Sequence, residues 1–191
     1  MGFDSLKSGI IVKTGDLFAV KASGLLGNLS SILMYPPTDR FHYGIIQRKV
    51  KDIDGIEDYE ILESIEKGIA VGRLSFYAGQ DVKFYRVNCP AYLREKAPIG
   101  LTKYGRSKYD YLLILKITVQ GVWTIFRNWL AGEGIHPICA DDLTWSHDNA
   151  LVCTEAVDIA YLSVGVSLTG GVCPTPSAFK QAELDGLIEE I

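Results

Sequence analysis

The side chains able to act as nucleophile or base in this chain include four cysteines and three histidines. A cysteine attacks as the thiolate, and a helix N-terminus lowers the thiol pKa through its unpaired amide donors and positive partial charge. Cys153 stands where a helical pattern begins, after the loop-like run Trp145-Ser146-His147-Asp148-Asn149. The other settings are weaker: Cys89 precedes Pro90 at a strand-to-helix junction, Cys139 lies in a loop, and Cys173 adjoins Pro174. Placement favours Cys153 as nucleophile, the alternative being a small apolar filler on a buried helical face. The irregular spacing of the cysteines fits neither a metal knuckle nor a compact disulfide framework. No metal and no cofactor is expected, and the thiols read as reduced.

A thiolate also needs an imidazole to take its proton and to protonate the leaving group. His147 is six residues before Cys153, His136 precedes Pro137 in a loop, and His42 opens an apolar strand. A strand keeps geometry better than a loop, which favours His42, with a satisfied strand-end histidine as the alternative. His147, nearest in sequence, is the competing base. A third residue must orient the ring and stabilise its cation. If Tyr59, Ile61 and Ile65 face the core, Glu63 shares their face, while Glu60, Ser64 and Glu66 point the other way. A carboxylate on an apolar face needs a partner, and His42 across adjacent strands would supply one; a surface glutamate is the alternative. Tyr43, beside the histidine, is a candidate to line a substrate pocket, against plain packing within a strand.

The elements that must position these residues are also legible. Residues 9–20 predict an opening strand around the turn Thr14-Gly15-Asp16, followed by an apolar, glycine-punctuated stretch over 22–35 and a break at Pro36-Pro37-Thr38-Asp39. Residues 42–50 predict a strand, 51–58 an acidic turn around Gly55, and 59–66 a second strand closed by Lys67-Gly68. A third strand is predicted over 82–87, the three pairing as an antiparallel meander. Pro90 suits the first turn of a helix running to Lys96. Residues 109–131 have weak helical periodicity, with strand as an alternative because of Ile114, Ile117, Thr118 and Val119. A loop follows at Gly132-Glu133-Gly134 and His136-Pro137. The helical pattern over 153–164 places 153, 157, 160, 161 and 164 on one face. From Cys173 the tail reads as a turn and a short acidic segment, and the tryptophans at 123, 129 and 145 as core or edge aromatics.

A chain of 191 residues, 48% hydrophobic and 22% charged, is expected to form one domain over 1–191. Such a chain buries about 70% of its unfolded surface without staples. A formal charge of -4 and a pI near 5.4 argue against a nucleic-acid partner. The nearest thing to a basic cluster, Arg40, Arg48, Lys49 and Lys51, reads as a solvated strand end and the turn after it. Neither a signal peptide nor a membrane span is expected, since no basic start leads into an apolar stretch and no uncharged apolar run reaches about 18 residues. The expected location is cytoplasmic, or virion-associated if the chain is phage-encoded.

Several of these segments together resemble the circularly permuted papain-like branch of the NlpC-type cysteine peptidase and amidase superfamily, related to the lecithin:retinol acyltransferase-like proteins. Gly15-Asp16-Leu17-Phe18 resembles that family's opening strand, and Phe41-His42-Tyr43-Gly44-Ile45-Ile46 its histidine strand. Ile61-Leu62-Glu63-Ser64 followed by Gly68-Ile69 is similar to the strand of the third site residue. Tyr109-Asp110-Tyr111 matches a frequent helix start, Leu151-Val152-Cys153-Thr154-Glu155-Ala156-Val157 resembles the nucleophile helix, and Thr175-Pro176-Ser177 the closing proline turn. Thr154 replaces the usual serine, residues 47–58 make a long hairpin, and 112–150 match little.

The resemblance implies an α+β, permuted papain-like fold, with an antiparallel sheet or small barrel packed against helices and the nucleophile on a helix in the C-terminal half. It implies Cys153, His42 and Glu63 as catalytic residues and an acyl transfer through a thioester, with the Cys153 backbone N–H as oxyanion donor. The expected activity is that of a cell-wall peptide amidase or peptidase. The alternatives are a lipid-directed amidase, thioesterase or acyltransferase with residues 22–35 as the acyl-binding segment, and a catalytically unused virion or tail domain. The partners implied are a peptide or acyl-amide substrate and a phage or wall-associated assembly.

Overall fold

Alternating apolar residues build an antiparallel sheet whose two faces are both covered. The computed structural model describes residues 10–21, 34–51, 54–105, 107–134, 136–143, 145 and 151–191. Its strands are β1 (Leu17–Lys21), β2 (Met34–Tyr35), β3 (Arg40–Lys51), β4 (Glu57–Ile65), β5 (Gly68–Arg73), β6 (Val82–Val87), β7 (Ile138–Cys139) and β8 (Ile188–Glu190). Its α-helices are α1 (Ala91–Thr102), α2 (Tyr111–Leu130), α3 (Cys153–Leu162) and α4 (Pro176–Leu184). Six strands form the main sheet in the order β5-β4-β3-β1-β6-β8, every pairing antiparallel, and β2 and β7 form a short parallel bridge. The chain is thus α+β.

Strand alternation divides the core in two. Leu17, Ala19, Tyr43, Ile45 and Leu62 face a cluster built with Ala97, Val157, Tyr161 and Phe179 from the helices. Phe18, Val20, Ile46, Ile61 and Phe84 turn the other way, against Val12 and Leu74. A third, smaller cluster of Ile138, Leu143 and Cys173 receives Ile117 and Ile125 of α2, together with Met34 and Trp145.

The expected meander is corrected. Glu66-Lys67 makes a two-residue turn, Gly68 takes a positive φ of 96°, and the chain returns at once as β5 along the edge of β4. The strand over 82–87 therefore pairs with β1 instead. Lys67-Gly68 closes β4 as expected and is also the tip of the hairpin that leads into β5. The opening strand is also shorter than expected, its ladder starting at Leu17 after the Thr14-Gly15 turn.

Helix α1 runs past Lys96 to Thr102, because Pro98 withholds one N–H from the carbonyl of Arg94 without ending the helix. The helix-or-strand ambiguity at 109–131 resolves as helix: the Asp110 carboxylate accepts from the Leu113 N–H at 2.7 Å and caps α2. The tail is not a simple acidic segment. Thr175 caps α4 through the Ala178 N–H at 3.2 Å, Pro176 sits in its first turn, and β8 then pairs with β6 at the sheet edge.

Arg40 also departs from expectation. It is 4% exposed and its guanidinium is paired with Asp81 at 3.1 Å, so it is a buried clasp rather than a solvated strand end. Burial opposes its charge, but Asp81 and Asp39 outweigh that and raise its pKa. Arg48 and Lys49 are neutralised across the hairpin by Glu60 and Glu57. Of the tryptophans, Trp145 packs in the third cluster, whereas Trp123 and Trp129 stand exposed on α2. Among the described residues, no helix is long and apolar enough to cross a membrane.

Candidate active site

Three of the expected site residues are brought together from three elements. His42 lies near the start of β3, opposite Val20 of β1. Gly44 pairs with Glu63 across β3 and β4, which places Glu63 diagonally from His42 on the same face. His42 Nε2 lies 2.6 Å from Glu63 Oε2. An ionised carboxylate only accepts, so Nε2 carries the proton and Nδ1 is the nitrogen left for Cys153.

Glu63 is buried and held on two further sides. Tyr77, at the end of the 3-10 turn Leu74–Tyr77, donates its hydroxyl to Glu63 Oε2 at 2.5 Å, and its ring stacks beside that of His42 at 5.8 Å. Gly72 on β5 leaves room for the carboxylate, since a Cβ there would lie 2.9 Å from Glu63 Oε1. Tyr77 had no spacing signal in the sequence. It follows β5, a strand that the sequence pattern did not predict, and only the hairpin swings it back to Glu63.

Cys153 is the first residue of α3, after Val152 in extended conformation. The chain entering the helix is fixed by Ser64, whose hydroxyl donates to the Leu151 carbonyl at 2.6 Å, and by Leu151 N–H donating to Lys108 O at 2.9 Å. One residue into the helix, the Thr154 hydroxyl donates to the Pro174 carbonyl. The first-turn amides of a helix have no intrahelical carbonyl partner, and the N–H of Cys153 is one of them.

The electrostatics distinguish this cysteine from the others. Burial works to raise the Cys153 thiol, but a hydrogen bond and charge interaction with His42, together with the Tyr43 and Thr154 N–H groups, outweigh it and bring the pKa down. Burial likewise opposes a charge on His42, yet Cys153 and Glu63 push its pKa up to about 10. Burial raises Cys89 and Cys139, and it pushes Cys173 up to about 12. The two shifts have a common cause, since each group's charged form favours that of the other. In its thiol form, Cys153 Sγ donates to the Phe41 carbonyl at 3.6 Å.

A cavity of about 150 Å³ opens beside Cys153, walled by Met34, Phe41, Tyr109, Ile114, Val152 and Pro174 among others, with no charged side chain in its lining. Tyr43 is not in that wall. Alternation turns it to the opposite face of β3 from His42, where it is buried with its ring 4.9 Å from that of Phe179. Its contribution at the site is the backbone N–H directed at Cys153.

Of the competing histidines, only His136 is described. His136 stays in its loop, hydrogen-bonded to the Glu133 carbonyl, and His147 lies outside the described residues. Of the apolar stretch 22–35, Met34 and Tyr35 alone are described, and Met34 lines the cavity. Among the described residues, no group of three or more His, Cys, Asp or Glu is placed to hold a metal ion. No protein-family model matches the chain, and no curated protein matches it.

Proposed function

We propose that the protein is a cysteine hydrolase with a permuted papain-like arrangement, cleaving an amide or ester through a thioester. The observation that carries this reading is His42 placed between Glu63 at 2.6 Å and the one cysteine whose thiol pKa is brought down. The Cys153 proton resides on His42, and the thiolate attacks the substrate carbonyl. The Cys153 N–H at the start of α3 faces the developing oxyanion. As the tetrahedral intermediate collapses, His42 returns its proton to the departing amine or alcohol, leaving the acyl group on sulfur. His42 then takes a proton from water, hydroxide attacks the thioester, and the acid leaves as the thiol is restored. Glu63 keeps the ring oriented and stabilises its cation throughout.

The family resemblance favours a cell-wall peptide as substrate. The uncharged, apolar cavity at Cys153 favours the second reading, in which an acyl chain lies in that cavity and a lipid amide, ester or thioester is cut. Muropeptides and acyl amides or esters, incubated separately with the purified protein, discriminate the two. Either substrate turned over, with activity abolished in Cys153→Ala and reduced about 10²- to 10⁴-fold in His42→Ala, supports the hydrolase. Turnover that survives Cys153→Ala contradicts it. A catalytically unused structural or virion domain predicts no turnover of any of them and no selective reactivity at Cys153.

A further inference from the structure

Helix α2 is apolar on nearly every side, and among the described residues one side packs on the third cluster. Ile117 and Ile125 pack against Ile138, Leu143 and Cys173, and Gly121 lies close against Ile138. Leu115, Val119, Val122, Trp123, Phe126 and Trp129 turn outward, each 45% to 62% exposed. At roughly 100° per residue these six fall in one sector about 120° wide. Lys116 and Arg127, eleven residues apart and so about three turns apart, line one border of that sector. An apolar patch of this kind on a protein surface marks a partner.

The chemistry of the helix specifies the partner. No Asp or Glu occurs from Tyr111 to Gly132, within a chain whose formal charge is -4. The helix is therefore a basic-bordered surface on an acidic protein, complementary to negative charge. A second copy would set these like-charged borders against each other. Tryptophan and phenylalanine on the apolar face with lysine and arginine at its border is the composition of helices that lie in a lipid interface. The helix does not meet the requirement for crossing a membrane. Its inner flank is continuous with the site, since Ile114 and Ile117 form part of the cavity wall beside Cys153.

We propose that α2 docks in the plane of an anionic phospholipid bilayer, its aromatic face among the acyl chains and Lys116 and Arg127 at the headgroup phosphates. Docking does not rest on the hydrolase reading, because it requires neither the thiol nor the imidazole.

The test uses the full chain with large unilamellar vesicles of phosphatidylcholine and phosphatidylglycerol, read by co-sedimentation and by intrinsic fluorescence. Trp123 and Trp129 are two of the chain's three tryptophans, so emission reports this face. Expected are co-sedimentation with a blue-shifted emission, at least about a ten-fold weaker partition for Phe126→Glu, and a several-fold weaker partition for Lys116→Glu/Arg127→Glu. Pure phosphatidylcholine vesicles should bind several-fold less, and Cys153→Ala should bind like the parent protein. Because Phe126 is exposed, the variant should keep the parent's circular dichroism. If it does not, Val122→Glu replaces it on the same face. No co-sedimentation of the folded parent protein, undiminished binding by these variants, or a dimer in sedimentation velocity that shields the tryptophans would overturn the proposal.

Discussion

Helices α2 and α3 are both rich in apolar residues, yet they spend that character in opposite ways. Every residue of α3 from Cys153 to Tyr161 is buried, whereas along α2 the fully buried positions among the described side chains are Leu113 and Gly121. The difference is in what each helix meets. Helix α3 lies across β3 and β4 and beside α1, and the Tyr161 hydroxyl reaches the Gly15 carbonyl at 2.5 Å. Among the described residues, helix α2 packs through Ile117 and Ile125 on a small third cluster away from the sheet. Hydrophobicity and length alone do not determine which helix becomes core. Apposition to the sheet does, and the helix that is fixed on it also carries Cys153 at its start.

Substitutions that act on the two helices unequally can break this comparison. The largest effect expected is for Tyr161→Ala, which removes a fully buried aromatic side chain and should cost about 3–5 kcal/mol of unfolding free energy. Urea denaturation followed by circular dichroism measures it. A smaller loss is expected at the support of the site: Tyr77→Phe deletes the hydroxyl that Glu63 accepts. For a half-buried donor to a carboxylate this should cost about 1–2 kcal/mol and slow electrophile labelling of Cys153 several-fold. Labelling at the parent rate would mean that Tyr77 does not hold Glu63. The smallest effect belongs to α2, where Trp123→Ala should change stability by no more than about 0.5 kcal/mol. A loss at Trp123 as large as that at Tyr161 would show that α2 is covered by something and belongs to the core.

Much of the site is carried by local pattern. Alternation along 59–66 offers Glu63 a place on an apolar face, with a surface glutamate as the alternative, and the loop-to-helix transition before Cys153 places that thiol at a helix start. The same alternation turns the side chain of Tyr43, next to His42 in sequence, to the other face of β3. The long-range parts were not legible. The β5 strand is six residues long with Gly68 at its start and Gly72 within it, so it lacks the continuous β-branched run that marks a strand. Once β5 was missed, the pairing of β6 and the approach of Tyr77 could not be foreseen. The buried state of Arg40 depends on Asp81, which is 41 residues away and unrelated to it by any local period. The pattern over 109–131 is weak enough to leave strand open, whereas that over 153–164 is plainly helical, but which of the two helices is covered depends on contacts that no local period shows.

The most direct test of the site is labelling with a small electrophile such as iodoacetamide across a pH series, with the modified cysteine mapped at each pH. Exposure alone would favour Cys89 and Cys139, which are partly exposed, over Cys153, which is 6% exposed. Chemistry favours the reverse. Because the Cys153 pKa is lowered, the reactive thiolate forms as pH rises before an ordinary thiol near 8.5 would ionise. Labelling of Cys153 should therefore be complete first and already rapid at neutral pH, while Cys89, Cys139 and Cys173 remain unmodified. In His42→Ala the opposing effect of burial is no longer outweighed by the imidazole, so the labelling midpoint of Cys153 should move upward from that of the parent protein. Labelling that follows exposure, with Cys89 and Cys139 ahead of Cys153, or a Cys153 midpoint unchanged by His42→Ala, would contradict the pairing of thiol and imidazole on which the account rests.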